Sequence, residues 1–239
     1  MLVKTKAIVV SSLKYGEADL IVKCFTLSSG LKSYLLRNIL KSKKGKLRAS
    51  LFQPLTHLEI EANHKDKGTL ERMREAKVSH HFKTLHTDVV KSSIVLFLSE
   101  VLRNSILEEE ENVALFQFLE NATLWLDSNK ENANFHLLFL LQLSKHLGFY
   151  PDTSTKDFPF FNLLDGTFET LELNAYCYKD ERISLLKTLL GTNFDALAQI
   201  KLNQNKRSAF LHMLLDYYEL HLHGFKKPRS LAVLNTIFQ

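Results

Sequence analysis

Residues 7–13 (AIVVSSL) are apolar and β-branched, and the Tyr15-Gly16-Glu17 step after them carries a turn signal. Residues 20–27 (LIVKCFTL) repeat the strand pattern, and Ser28-Ser29-Gly30 closes a hairpin. Residues 31–40 read as a third strand. A fourth lies within residues 51–61, where Leu58, Glu59, Ile60 and Glu61 alternate apolar and charged. A fifth lies within residues 70–78, after the Lys67-Gly68 turn. Short strands with turn signals at such close spacing predict a small five-stranded barrel.

The pattern changes after about His80. Val89, Ile94, Leu96, Phe97, Val101 and Leu102 recur at helical spacing and predict a helix over roughly 83–107. A second helix is expected over 112–127 and a third over 132–147, where HLLFLLQLSKHL is apolar on most faces and therefore buried. Gly148 is placed to end it. Residues 149–172, with Pro151, Pro159 and Gly166, read as irregular. Helical patterning resumes over 182–190 and 206–222, and Gly224 and Pro228 terminate it. The fold class is thus α+β, with the barrel over residues 1–80 and a mostly α-helical part over 81–239.

Composition adds an asymmetry. The net charge is +5, but residues 1–83 carry a net of +10 and residues 84–239 a net of −5. A basic first module and a mildly acidic second one suggest different partners. Cys24 and Cys177 are the only cysteines, too few for a disulfide framework or a Cys-rich zinc site, and Cys24 in LIVKCF reads as a small buried hydrophobe. The start MLVKTKAIVV lacks the core and cleavage site of a secretory leader, and no uncharged run reaches bilayer length. The expectation is a soluble, cytoplasmic protein of a reducing compartment.

The sharpest chemical signal is charge. Between Asp19 and Glu59 no acidic residue occurs, and six of the basic residues there, Arg37, Lys41, Lys43, Lys44, Lys46 and Arg48, crowd into residues 36–48. Such a run repels itself unless solvated or matched by a polyanion, and a nucleic-acid backbone fits because neutralised phosphates release counterions. Lys32 adds to the set, and Gly45 allows close approach. A barrel with a charged groove and aromatic rings is a recurrent platform for single strands. Tyr34 is a candidate stacking ring, and Phe52 suits stacking or the core alike.

Other constellations are weaker. His80-His81 and the His221/His223 pair do not share a helix face, and no HExxH occurs. No GxSxG, GxxxxGK[ST] or GxGxxG is present, so no enzyme class is indicated. The run of four glutamates at 108–111 reads as a charge cap on the second helix rather than a metal site. Residues 217–230 (YYELHLHGFKKPRS) pair aromatics with Lys226, Lys227 and Arg229. They suit an acidic, hydrophobic-ended peptide, or simply favourable positive charge at a helix C-terminus.

Several segments in order resemble the RecO family of recombination mediators in bacterial DNA repair. They are residues 5–15 (TKAIVVSSLKY), Gly16-Glu17 with Asp19, Phe25-Thr26 with Gly30, residues 43–54 (KKGKLRASLFQP) with Leu58-Glu59, Gly148-Phe149-Tyr150-Pro151, Gly224-Phe225 and Ser230-Leu231. The resemblance spans essentially the whole chain. It implies that residues 1–80 form an OB-fold nucleic-acid-binding domain, followed by the helical domain. It implies binding to single- and double-stranded DNA, annealing of complementary strands, and non-enzymatic work with RecR to load RecA onto DNA coated by single-strand-binding protein. It implies a cytoplasmic, nucleoid-associated protein. A site for the acidic C-terminal tail of the coating protein at Lys226, Lys227 and Arg229 is an expectation of this reading.

The chain departs from the family in one place. Many members carry four zinc-binding cysteines after the Gly-x-x-Pro segment, whereas residues 151–169 (PDTSTKDFPFFNLLDGTFE) contain none. The zinc-finger-like segment at about 149–175 is thus degenerate. No cofactor and no metal are expected, with Phe158, Phe160, Phe161, Leu163, Leu164 and Phe168 holding the segment by apolar burial. The competing reading of the whole chain is a non-enzymatic adaptor whose basic barrel face docks an acidic protein.

Overall fold

The computed structural model describes residues 1–41, 47–65, 69–107, 110–130 and 133–238. The chain divides into two compact units, Met1–Ser128 and Asn129–Gln239.

The first unit is built on five antiparallel strands, β1 (Leu2–Tyr15), β2 (Asp19–Thr26), β3 (Gly30–Leu36), β4 (His57–Asn63) and β5 (Arg72–Val78), in the order β3-β2-β1-β4-β5. β1 is long because it serves two partners. Its first half pairs with β4 from Leu2 to Ile8, its second with β2 from Ala7 to Tyr15, and a bulge between Val9 and Ser11 lets it bend from one to the other. The two edge strands then meet. Leu35 N donates to Glu71 O (3.1 Å) and Glu71 N to Ser33 O (2.7 Å), around a parallel bridge between Tyr34 and Glu71. The result is the partly open five-stranded barrel of an OB-fold.

Alternation sorts the side chains. Val9, Val22, Cys24, Leu58, Ile60, Ala62, Met73 and Ala76 line the barrel interior. Phe52 closes it from the 3-10 turn Ala49–Phe52. The unbroken run Ala7 to Val10 is buried on both faces of the sheet. Its outer face meets α1 (Val89–Ser105), whose Ser99 Oγ donates to Val10 O (2.6 Å). α2 (Val113–Ser128) adds Phe116, 6.4 Å from Phe25 ring to ring. Both helices therefore belong with the sheet.

Helical spacing alone starts α1 near Lys83, but the helix begins at Val89, where Asp88 caps it by accepting from Lys91 N (2.9 Å). The preceding N–H groups go elsewhere. Lys83, Thr84 and Leu85 all donate to the Asp127 carboxylate, at 3.0, 2.7 and 2.8 Å. α2 is capped by Asn112, which accepts from Leu115 N (2.9 Å), and carries no acid in its first turn. The glutamates expected to cap it lie ahead of the helix, with Glu108 and Glu109 outside the described residues.

The second unit contains α3 (Phe135–His146), α4 (Glu181–Leu189), α5 (Gln204–His221) and α6 (Leu231–Ile237). Leu137 through Leu141 of α3 are fully buried, and Tyr218 of α5 donates its hydroxyl to Leu140 O (2.6 Å). α3 ends at Gly148, whose φ of +86° lets Phe149 N return to Ser144 O (3.0 Å). The stretch read as irregular holds a small sheet of β6 (Phe160–Asn162), β7 (Thr167–Glu169) and β8 (Cys177–Tyr178), in the order β7-β6-β8. Phe161, Leu163 and Phe168 fill its inner side, as expected. Phe158 and Leu164 are exposed and contribute little burial. Neither α6 nor this sheet is marked by periodicity, because both are too short to show a period.

Candidate nucleic-acid interface

The basic loop leaves the barrel between β3 and β4 and is anchored at both ends. Asn38 adopts a left-handed φ of 55° and its N–H bonds Asp19 Oδ1 (2.7 Å), while Leu40 N reaches Ala18 O (2.9 Å). Lys41 pairs with Glu17 at 3.1 Å on the β1–β2 turn. At the far end Leu47 packs on the barrel core, and Arg48 begins the 3-10 turn that delivers Phe52. Arg37, Lys41 and Arg48 are exposed, as a phosphate-contacting role requires. Lys43, Lys44 and Lys46 fall outside the described residues.

Beside this loop lies a groove of about 720 Å³, lined by Arg37, Ile39 and Leu47 on one side and by Leu70, Arg72 and Arg74 on the other. Arg72 and Arg74 stand two apart on β5, so both point outward while Met73 points into the core. The pairing of β3 with the residue ahead of β5 is what brings Arg37 to them. Glu71, the acid lining the groove, is buried and turned to structural use, accepting Lys65 N at 2.9 and 3.0 Å. Among the described residues no ion pair ties Arg37, Arg72 or Arg74. By contrast, Lys4 pairs with Glu61 (3.3 Å), Lys6 with Glu120 (3.1 Å) and Lys77 with Glu75 (3.7 Å). Three arginines without an ion pair among the described residues thus share one groove.

Sequence reasoning missed Arg72 and Arg74. The Arg-Met-Arg alternation was the available signal, but only the closure of the barrel places it beside Arg37.

Two expected site residues, Tyr34 and Lys32, are placed differently, and Phe52, for which stacking and core were both open, falls in the core. Tyr34 is completely buried, with its hydroxyl 2.8 Å from His64 Nε2, so its ring has no free face for a base. Phe52 is 2% exposed and belongs to the core. Lys32 lies in the same inward row as Tyr34 and is 6% exposed, which removes it from a phosphate-contacting surface. Among the described residues of the five strands, the exposed aromatic ring is Tyr15, at the end of β1.

In the second unit, Lys227 is held by α5 itself. It meets Asp216 at 2.5 Å and Glu219 at 3.2 Å, and the hydrogen bond to Asp216 raises its pKa above the ordinary lysine value. An acidic peptide would have to displace both carboxylates. Lys226 and Arg229 are exposed on the turn after α5.

His57 behaves as a structural group. His57 sits edge-on to Phe82 (4.8 Å between centroids) and its Nε2 lies 2.8 Å from Thr123 Oγ1. Burial, then the neighbouring charges of His80, Lys6 and His86, pushes it down to about 4, so it is neutral at pH 7. Among the described residues no helix is long and apolar enough to cross a membrane.

Comparison with known proteins agrees with this architecture. A family model described as Recombination protein O N terminal matches residues 1–82, and one described as Recombination protein O C terminal matches residues 86–231. The DNA repair protein RecO of Christiangramia forsetii is 57% identical over 238 residues, covering 100% of both chains. That of Flavobacterium johnsoniae is 51% identical over 238 residues and that of Bacteroides fragilis 39% over 245 residues, again covering 100% of each chain. The chain belongs to the RecO family of DNA repair proteins.

Proposed function

We propose that the groove between β3 and β5, with the basic loop beside it, binds the phosphate backbone of single- and double-stranded DNA, and that the protein anneals complementary strands. The observation that carries this reading is the convergence of Arg37, Arg72 and Arg74 on one groove whose lining carboxylate is engaged by a backbone N–H group. Phosphate contacts position a strand without reading its sequence, which is what annealing of arbitrary complements needs. The barrel domain, taken as residues 1–80, supplies this surface. The helical domain supplies the protein contacts. Those contacts are RecR, with which the protein loads RecA onto coated DNA, and the acidic tail of single-strand-binding protein, for which Lys226, Lys227 and Arg229 are the candidate cations. No catalytic step is part of the role.

A second reading has one observation in its favour. Tyr34 and Phe52 are buried, so the barrel lacks the stacking rings that single-strand binders use at those positions. A basic face without stacking also suits an adaptor that docks an acidic protein. Tyr15 separates the two, because it is the exposed strand aromatic. Mixing complementary fluorophore-labelled strands with wild type and with Tyr15→Ala tests both readings. The DNA reading expects protein-dependent annealing and a loss of roughly 1–3 kcal/mol in single-strand affinity on substitution. Annealing no faster than the protein-free control would leave the adaptor reading standing.

A further inference from the structure

The zinc-finger-like segment is organised around two turns that open in the same way. Each opens on an asparagine whose side-chain oxygen accepts the backbone N–H two residues on. Leu164 N donates to Asn162 Oδ1 (3.1 Å) and Tyr176 N to Asn174 Oδ1 (2.8 Å). The first turn closes at Gly166, whose N–H bonds Asn162 O (2.9 Å), and the second at Cys177, whose N–H bonds Asn174 O (3.1 Å), so that Asp165 and Cys177 each stand three residues after the opening asparagine. Asn-x-x-Asp followed by Asn-x-x-Cys reproduces the paired C-x2-C spacing of structural zinc sites, with three of the four thiols replaced.

Strand pairing brings the turns together, for β6 and β8 set Asn162 opposite Cys177, and Leu163 N bonds Tyr176 O (3.1 Å). The four side chains then bond one another. Asn162 Nδ2 donates to Asp165 Oδ2 (2.6 Å), Asn174 Nδ2 to Asn162 Oδ1 (3.3 Å), and Cys177 Sγ to Asn174 Oδ1 (3.8 Å). Asn162 is fully buried and Cys177 nearly so.

These residues do not fit a zinc ion. A structural site takes four electron-pair donors in a tetrahedron. Asp165 and Cys177 are of that type, but both asparagines turn amide N–H groups into the cluster, and their oxygens are already used by the turns. Among the described residues no group of three or more His, Cys, Asp or Glu gathers to hold a metal.

We infer that the Asn162, Asp165, Asn174 and Cys177 quartet is a metal-free counterpart of a paired zinc knuckle, in which side-chain hydrogen bonds tie the two turns that a metal ion ties elsewhere. The two x2 spacings and the pairing of Asn162 with Cys177 are kept, so the site is latent rather than lost. The segment's stability is then independent of zinc supply, and a single buried thiol replaces four oxidisable thiolates.

The test compares the tag-free full chain with the triple variant Asn162→Cys, Asp165→Cys, Asn174→Cys. Wild type is expected to carry no stoichiometric zinc and to keep its thermal midpoint in excess EDTA. The triple variant is expected to take one equivalent of zinc, to show the absorption of tetrahedral tetrathiolate cobalt with Co2+, and to lose thermal stability on chelation. Stoichiometric zinc in wild type, or a folded triple variant that takes up no cobalt, would overturn the inference. If the triple variant fails to fold even with zinc, Asn162→Ala in the natural chain decides. It should speed proteolytic cleavage within residues 150–180 roughly tenfold, equivalent to about 1.4 kcal/mol of local stability. An unchanged cleavage rate would overturn the inference on its own.

Discussion

The hydroxyl of Tyr34 and Nε2 of His64 lie 2.8 Å apart inside the barrel, linking β3 to the residue that follows β4. The pair makes Tyr34 a structural residue. Tyr34→Phe removes one side of a buried hydrogen bond and should cost about 1–3 kcal/mol in urea unfolding. Tyr34→Ala empties the centre of the core and should cost about 3–5 kcal/mol. At a denaturant concentration where the Phe variant remains folded, its single-strand affinity should equal that of wild type. A selective loss of affinity with unchanged stability would return Tyr34 to the binding surface.

The strand β3 shows where the sequence stops being legible. Its two alternating sets are Leu31, Ser33, Leu35 and Lys32, Tyr34, Leu36, and both mix apolar with polar residues. Hydropathy therefore does not say which set faces inward, and a lysine beside a tyrosine reads naturally as a binding face. β1 and β2 had no such ambiguity, because Ala7 to Val10 is apolar throughout and Leu20, Val22 and Cys24 form one apolar row. The basic loop was legible as a local excess of charge. The groove was not, because Arg37 and Arg72 are far apart in sequence and meet only through the Tyr34–Glu71 bridge. The helices α2 to α5 were legible from periodicity, whereas the true start of α1 depended on a carboxylate some forty residues later.

That carboxylate carries a second prediction. Burial alone would raise the Asp127 pKa, but the N–H groups of Lys83, Thr84 and Leu85 and the Thr84 hydroxyl outweigh it and hold the group below the usual carboxylate value. Asp127→Ala frees three backbone donors at once and should cost about 2–3 kcal/mol in urea unfolding. Hydrogen exchange at Thr84 and Leu85 should rise with it. Protection unchanged at those amides would show that the segment is held by something other than Asp127.

A third prediction concerns pH. His57 takes up a proton near pH 6.5 in the unfolded chain but only near pH 4 in the folded one. Between those values the unfolded state binds more protons, so stability is complete above about pH 6.5 and falls as pH drops towards 4. At pH 4.5 the loss attributable to His57 should be about 2–3 kcal/mol. Comparing the urea midpoints of wild type and His57→Gln at pH 7 and pH 4.5 isolates it. The variant should lose less stability on acidification than wild type, and an equal loss would contradict the assignment.

The central claim is that Arg37, Arg72 and Arg74 engage DNA phosphates, and its most direct test is fluorescence anisotropy of a labelled single strand across a salt series. Wild-type affinity should fall steeply with salt. The variant Arg37→Ala, Arg72→Ala, Arg74→Ala should bind more weakly and lower the log–log slope by about 2, at about 0.7 for each phosphate no longer neutralised. Lys41→Ala, whose cation is already paired with Glu17, should change both quantities less. A triple variant that folds as wild type does, with the same affinity and the same salt slope, would contradict the account.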